Sequence, residues 1–286
     1  MNANDLTYGV EFETTMPVSF SSQRGTYSSP RQVNGLPSGW KAKTDCSIRA
    51  GRGLIGVEFV SPILKGANGL SQVLQVLAYL NGQGARVNQS TGFHVHVGSF
   101  PTDAKNIEKI TTLVANFEQA IFASTGTTRR ENGSWCKSVQ RHRGFAVAQA
   151  NASYDRYHVL NLKNLSCAKR TVEFRAFSGT LNPIKVVGYI RLCLGLVERA
   201  LNASRKTNWT AQEVKTTSPI HRKGAGQTAL TRLFYQLGWI KGRAKRYFGE
   251  VGFDIAGAPT NDECKKQLMR LAKQYDEAKA ANGPQS

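Results

Sequence analysis

The chain has 286 residues, 40% of them hydrophobic, and carries a net charge of +19 with a pI near 10.0. Such a length supports a substantial core in one large domain or two small ones, and such a charge attracts polyanions: nucleic acid, nucleotide phosphates or an acidic substrate. Five scattered cysteines without a CxxC pair, a polar opening at Met1–Asp5 and no apolar run near ~18 residues argue against a disulfide framework, a zinc finger, a secretory signal and a spanning helix, so a cytoplasmic protein with no membrane partner is expected.

The first predicted element is a strand. Tyr8, Val10 and Phe12 alternate with Gly9, Glu11 and Glu13, so both carboxylates fall on one face of an extended chain. Side by side they repel, and they need a cation, a proton or open water; a solvated strand face is the plainer alternative. Pro17–Ser38, rich in Ser, Gly, Pro, Arg and Gln, reads as a long mobile loop. Asp45 follows, two residues before Ser47. Leu54–Val60 is a second strand with Glu58 between Val57 and Phe59. Leu70, Val73, Leu74, Val76, Leu77 and Leu80 have helical spacing over Asn68–Asn81, and Gly82 and Gly84 end that helix. Gly92–Gly98 is a third strand, with His94 and His96 opposite Phe93, Val95 and Val97.

Thr102-Asp103 opens a second helix, whose stripe is Ile107, Ile110, Leu113, Val114, Phe117 and Ile121. Thr125–Gly144 reads as a basic loop with Arg129, Arg130, Lys137, Arg141 and Arg143. Tyr157–Lys163 is a fourth strand carrying Asn161. Thr171–Phe177 is a fifth, in which Val172, Phe174 and Ala176 alternate with Glu173, Arg175 and Phe177. Asn182-Pro183 starts a helix that runs to about Ala203. In the C-terminal third, Gly226–Leu237 and Asn261–Ala281 look helical. Between Arg199 and Arg246 eleven Lys or Arg face a single acid, Glu213, which gives a basic surface.

Four strands thus repeat one pattern: an apolar face, and a second face carrying Glu11 and Glu13, Glu58, His94 and His96, or Glu173 and Arg175. One antiparallel sheet could align these faces, with helices over the apolar side and an open trough on the other. Carboxylates with one or two imidazoles suit Mg²⁺ or Mn²⁺, because hard cations prefer oxygen ligands. A guanidinium at Arg175, beside such ions, is what a transferring phosphoryl group requires. Other chemistries fit less well. The H-x-H pair lacks the following Glu of a cupin and the further histidines of a zinc amidohydrolase, and no P-loop occurs.

The ordered set Gly9-Val10-Glu11-Phe12-Glu13, Asp45, Gly56–Pro62, Gly92–His96 and Thr171–Arg175 followed by Asn182-Pro183 resembles the glutamine synthetase and glutamate–cysteine ligase superfamily, and within it the carboxylate–amine ligase-like amidoligases, over about residues 6–185. The resemblance implies an α+β fold of glutamine synthetase type over residues 1–205, with 206–286 a helical, basic extension packed on it. It implies amide formation between a carboxylate and an amine through an acyl-phosphate, with ATP and two or three Mg²⁺ or Mn²⁺ ions. Glu11, Glu13, Glu58, His94 and Glu173 would hold the metals, and Glu173 and Arg175 would be the catalytic pair. His96, Asp45, Asn161, Arg156 and Arg175 would contact ATP or substrate. The substrate expected from the basic charge is acidic, as a small molecule, peptide or protein. A metal-dependent phosphotransferase or hydrolase using the same trough is the first alternative. A nucleic-acid-binding protein is the second, and the lack of exposed strand aromatics ranks it last.

Overall fold

The alternation read from the sequence builds one antiparallel sheet in the computed structural model, which describes residues 3–131, 133–139, 155–203, 226–240 and 255–282. Its strands are β1 (Thr7–Pro17), β2 (Arg31–Gln32), β3 (Lys41–Lys43), β4 (Leu54–Val60), β5 (Leu64–Lys65), β6 (Gly92–Val97), β7 (Leu160–Asn161) and β8 (Val172–Ser178). The order across the sheet is β2-β3-β4-β1-β6-β8-β7, with β5 pairing the start of β1. The 11-residue β1 is the central strand, pairing β4 on one side and β6 on the other.

One face is apolar. Tyr8, Val10, Phe12, Val57, Phe59, Phe93, Val95 and Phe174 are buried there, and each large side chain so removed from water contributes roughly 1.5–3 kcal/mol. Phe12 meets Phe93 with ring centroids 4.9 Å apart. Over this face lie helices α1 (Gly66–Gly82), α2 (Ala104–Ala123) and α3 (Pro183–Leu201). Local chemistry starts the latter two as expected. Asp103 caps α2 by accepting from the Asn106 amide, and Asn182 caps α3 from Lys185 with Pro183 in the first turn. Helices α4 (Gly226–Leu237) and α5 (Asn261–Ala281) pack on α2 and α3. Thr260 and Glu263 form a capping box at the start of α5.

Several expectations need correction. The 17–38 stretch is not a plain loop: it forms a 3-10 turn at Val18–Gln23 and strand β2, and it buries Phe20 and Val33. Phe20 packs on Phe59 at 5.5 Å, so two apolar residues anchor an otherwise polar segment. The fourth strand is only Leu160–Asn161, because a 3-10 turn takes over at Lys163–Ser166. Lys41–Lys43, unassigned from the sequence, pairs with β4.

Phe177 does not share a face with Glu173. Between the pairs Phe93–Phe177 and Val95–Phe174, β6 contributes His94 alone while β8 contributes Arg175 and Ala176. This β-bulge breaks the two-residue period. It turns Phe177 into the core, where its ring stacks on Tyr189 at 4.2 Å and 15°. Of the expected basic surface between 199 and 246, only Arg199 and Arg232 lie in the described residues; Arg141 and Arg143 also lie outside them.

Candidate functional site

Strand register sets the polar residues in rows on the face away from the helices. Glu13 opposes Glu58, and Glu58 opposes Lys43. Glu11 opposes His94. Gly9, His96, Glu173 and Asn161 form the next row. Directly opposed side chains share a face with Cβ atoms ~4.5–5.5 Å apart. Residues distant in sequence therefore meet without any loop having to place them.

Glu13, Glu58, His94, Glu173 and Arg175 are all buried, and buried charges persist only when paired. His94 is the hub. Its Nδ1 lies 3.2 Å from Glu11 Oε2 and 3.6 Å from Glu173 Oε1, and its Nε2 lies 3.6 Å from Glu13 Oε1. His96 Nε2 sits 3.2 Å from Glu11 Oε1 and 3.9 Å from Glu173 Oε1. Glu173 accepts from Arg175 Nη1 at 2.5 Å and from Asn161 Nδ2 at 2.6 Å. Glu13 accepts the Gly92 amide at 2.5 Å. Glu58 pairs with Lys43 Nζ at 3.0 Å.

The electrostatics follow from this crowding. Burial works to raise the Glu11 carboxyl, but His96 and His94 outweigh it and hold it well below the usual range. Glu173 is likewise lowered, burial and Glu11 opposing while His96 and Arg175 prevail. His96 is raised: burial disfavours its cation, and Glu11 with Glu173 favours it more strongly. Glu58 behaves oppositely, pushed up to about 8 by burial and by Glu11, against the attraction of Lys43. A cation bound beside Glu58 would favour its charged form.

Glu11, His94 and Glu173 each offer a ligand atom, and these atoms lie within 4.8 Å of one another. Two carboxylate oxygens and one imidazole nitrogen, without sulfur, fit Mg²⁺ or Mn²⁺. Arg175 Nε is buried without a hydrogen-bond partner among the described residues, whereas His96 Nε2 is already engaged with Glu11. A donor placed as Arg175 Nε is suited to ligand oxygens. Glu13 and Glu58 stand outside that group of three, next to it along β1 and β4.

Above the cluster opens a trough of about 1060 Å³, the upper end of the ~300–1,000 Å³ usual for small-molecule sites and room for two substrates. The other expected contact residues line it at different places. Asp45 binds the Ser47 amide and hydroxyl at 2.7 Å. Asn161 is spent on Glu173. Arg156 Nη1 reaches Tyr27 Oη at 3.4 Å, and Lys43 lies 4.7 Å over the Tyr27 ring, so Tyr27 touches both sides of the trough.

Much of the trough's lining was missed from the sequence, Lys43, Tyr27 and Arg130 among it, as was Gly92 beside the cluster. Lys43 had a readable signal, the Lys41-Ala42-Lys43 alternation just before Asp45. Gly92 had one in its place beside the histidine strand. Tyr27 and Arg130 sit in polar stretches with no periodicity to single them out.

A family model described as "Putative amidoligase enzyme" matches residues 4–144 and 140–197. No curated protein matches. Among solved structures, one similar chain comes from the crystal structure of the complex between Prokaryotic Ubiquitin-like Protein Pup and its Ligase PafA. The identity is 12% and the TM-score 0.47, over 97% of this chain and 65% of that one. This chain therefore spans just under two thirds of the length of the chain it resembles. Among the described residues no helix is long and apolar enough to cross a membrane.

Proposed function

The chain belongs to the amidoligase family, and from that premise we propose that it joins a carboxylate to an amine with ATP, through an acyl-phosphate. The observation that carries this reading is the convergence of Glu11, His94 and Glu173 on one side of a deep trough, with Arg175 against Glu173. In the first half-reaction a substrate carboxylate oxygen bonds the γ-phosphorus of ATP and ADP leaves. In the second, the amine nitrogen bonds the acyl carbon and inorganic phosphate leaves.

Glu11, His94 and Glu173 would hold Mg²⁺ or Mn²⁺, with Glu13 and Glu58 available to a second ion. Bound there, the metal supplies charge neutralisation for phosphate oxygens. Arg175 faces developing negative charge with a planar fork already buried and oriented by Glu173. His96 lies at the same edge of the cluster, its Nε2 against Glu11. Asn161 holds the second oxygen of Glu173, leaving the first toward Arg175 and the histidines. Arg156 and Asp45 meet substrate or nucleotide at the flanks. Lys43, Arg49, Lys163 and Lys169 line the trough around an acidic floor, which favours a carboxylate substrate bearing further negative charge. All five cysteines are free thiols, in keeping with a cytoplasmic setting.

Arg175→Lys tests the reading. It keeps the charge and loses the bidentate geometry. Mg-ATP affinity by calorimetry should stay within a few-fold, while kcat for amide formation falls on the order of 10²-fold. Turnover is followed as amide product, ADP and free phosphate with panels of acids and amines. Free phosphate without amide would make the chain a hydrolase, and ADP with neither amide nor free phosphate would make it a phosphotransferase. Unchanged turnover would remove Arg175 from the reaction.

A further inference from the structure

Where β7 ends, the edge of β8 beyond Phe174 has no paired strand among the described residues, and at the bulge one side chain collects three successive carbonyls there. Arg130 donates from Nε to the Ala176 carbonyl at 3.2 Å, and from Nη2 to the carbonyls of Arg175 and Phe177 at 2.9 Å each. Its own carbonyl is fixed by the Gly133 amide at 3.1 Å and the Cys136 thiol at 2.8 Å. A guanidinium can span three successive carbonyls because its donors are spread along a rigid plane; one ammonium cannot. No carboxylate pairs with Arg130 among the described residues, so its contacts are to the backbone of the bulge.

The bulge decides where two side chains go. Continued regularly from the Val95–Phe174 pair, the ladder would set Arg175 alone opposite His94 and turn Phe177 to the trough; the bulge sets Arg175 and Ala176 together against His94 and sends Phe177 into the core. We propose that Arg130 is a positioning residue, which locks the β8 bulge and thereby aims Arg175 at the reacting phosphoryl group. This rests on the ligase reading above, and Arg130 itself touches no reacting atom in it.

The experiment pairs backbone exchange with a mutant cycle. Amide exchange by mass spectrometry is measured for the parent, Arg130→Gln and Arg130→Lys. Segment 173–178 should exchange about tenfold faster or more in both variants, with β1 and α3 unchanged. Exchange equal to the parent overturns the lock. ATP-dependent amide synthesis is then measured for the same proteins, alone and combined with Arg175→Lys. Arg130→Gln should lower kcat roughly 10- to 100-fold with the ATP KM within about threefold, the scale of a misplaced reacting group. Arg130→Lys should not rescue it, and recovery by lysine would mean that charge, not the fork, acts. In the Arg175→Lys background the Arg130 change should cost less than about threefold more, since the group it aims is already lost. Full multiplication of the two losses overturns the positioning role. If Arg130→Gln does not fold, Arg130→Lys carries both comparisons. A parent that makes no amide sinks the ligase reading instead, while the exchange data still decide whether Arg130 holds the bulge.

Discussion

Gly92 has no side chain, and three functional groups use the space one would fill. A Cβ there would lie 2.9 Å from Arg130 Nη2, 2.9 Å from His94 Nε2 and 3.1 Å from Glu13 Oε2. Each of these is the far end of a side chain, so alanine is accommodated by moving the site and not the backbone. Gly92→Ala should therefore fold with a loss of about 1 kcal/mol or less, within the range of mild substitutions. Its Mn²⁺ affinity, read by calorimetry on the nucleotide-free protein, should fall about tenfold or more, the scale for disturbing groups that orient metal ligands. Unchanged affinity would detach Gly92, and the His94 position it guards, from cation binding. The residue scale also shows why composition was a poor guide to Arg130. It stands among five basic residues of the 125–144 segment, and nothing in that stretch marks the one that turns inward.

At the scale of elements, the alternation of Glu11 and Glu13, Glu58, His94 and His96, and Glu173 was legible because a period of two leaves one geometric choice. The helix starts at Asp103 and Asn182 were legible too, since capping chemistry is local. The short strands β3 and β7 were blurred: two or three residues hold too little pattern. The bulge in β8 was not legible, since it depends on the carbonyl partner that Arg130 supplies from 45 residues away in sequence. Phe177 separates the two readings. On unbroken alternation it would lie over the polar trough, and Phe177→Ala would cost about 0.5 kcal/mol or less, as surface changes do. Buried between Phe93 and Tyr189, it should cost about 3–5 kcal/mol. Urea unfolding of the variant distinguishes the two directly.

At the scale of the whole molecule, stability and pH are linked through a group far from the trough. Glu198, in the last turns of α3, is buried; its Oε1 accepts the Ala3 amide at 3.0 Å, and its Oε2 has no partner among the described residues. It ties the N-terminal turn before β1 to a core helix, so its ionisation is felt by global unfolding. Burial pushes its carboxyl up to about 7, against the pull of the Ala3 amide. In the unfolded chain the same group ionises near 4.5. Between these values the folded state holds a proton that the unfolded state has released. Stability must then fall as pH rises from about 4.5 to about 7, and the cost levels off above that. Glu198→Gln keeps an acceptor for Ala3 and cannot ionise, so this loss should be absent from the variant. Other titrating groups, including those of the trough, cancel in the difference between parent and variant. That difference, measured by urea unfolding, should shift by about 1–3 kcal/mol in favour of the variant between pH 5 and pH 8. A difference independent of pH would mean that Glu198 is ionised in the folded protein throughout this range, with its free oxygen reached by water or by a cation.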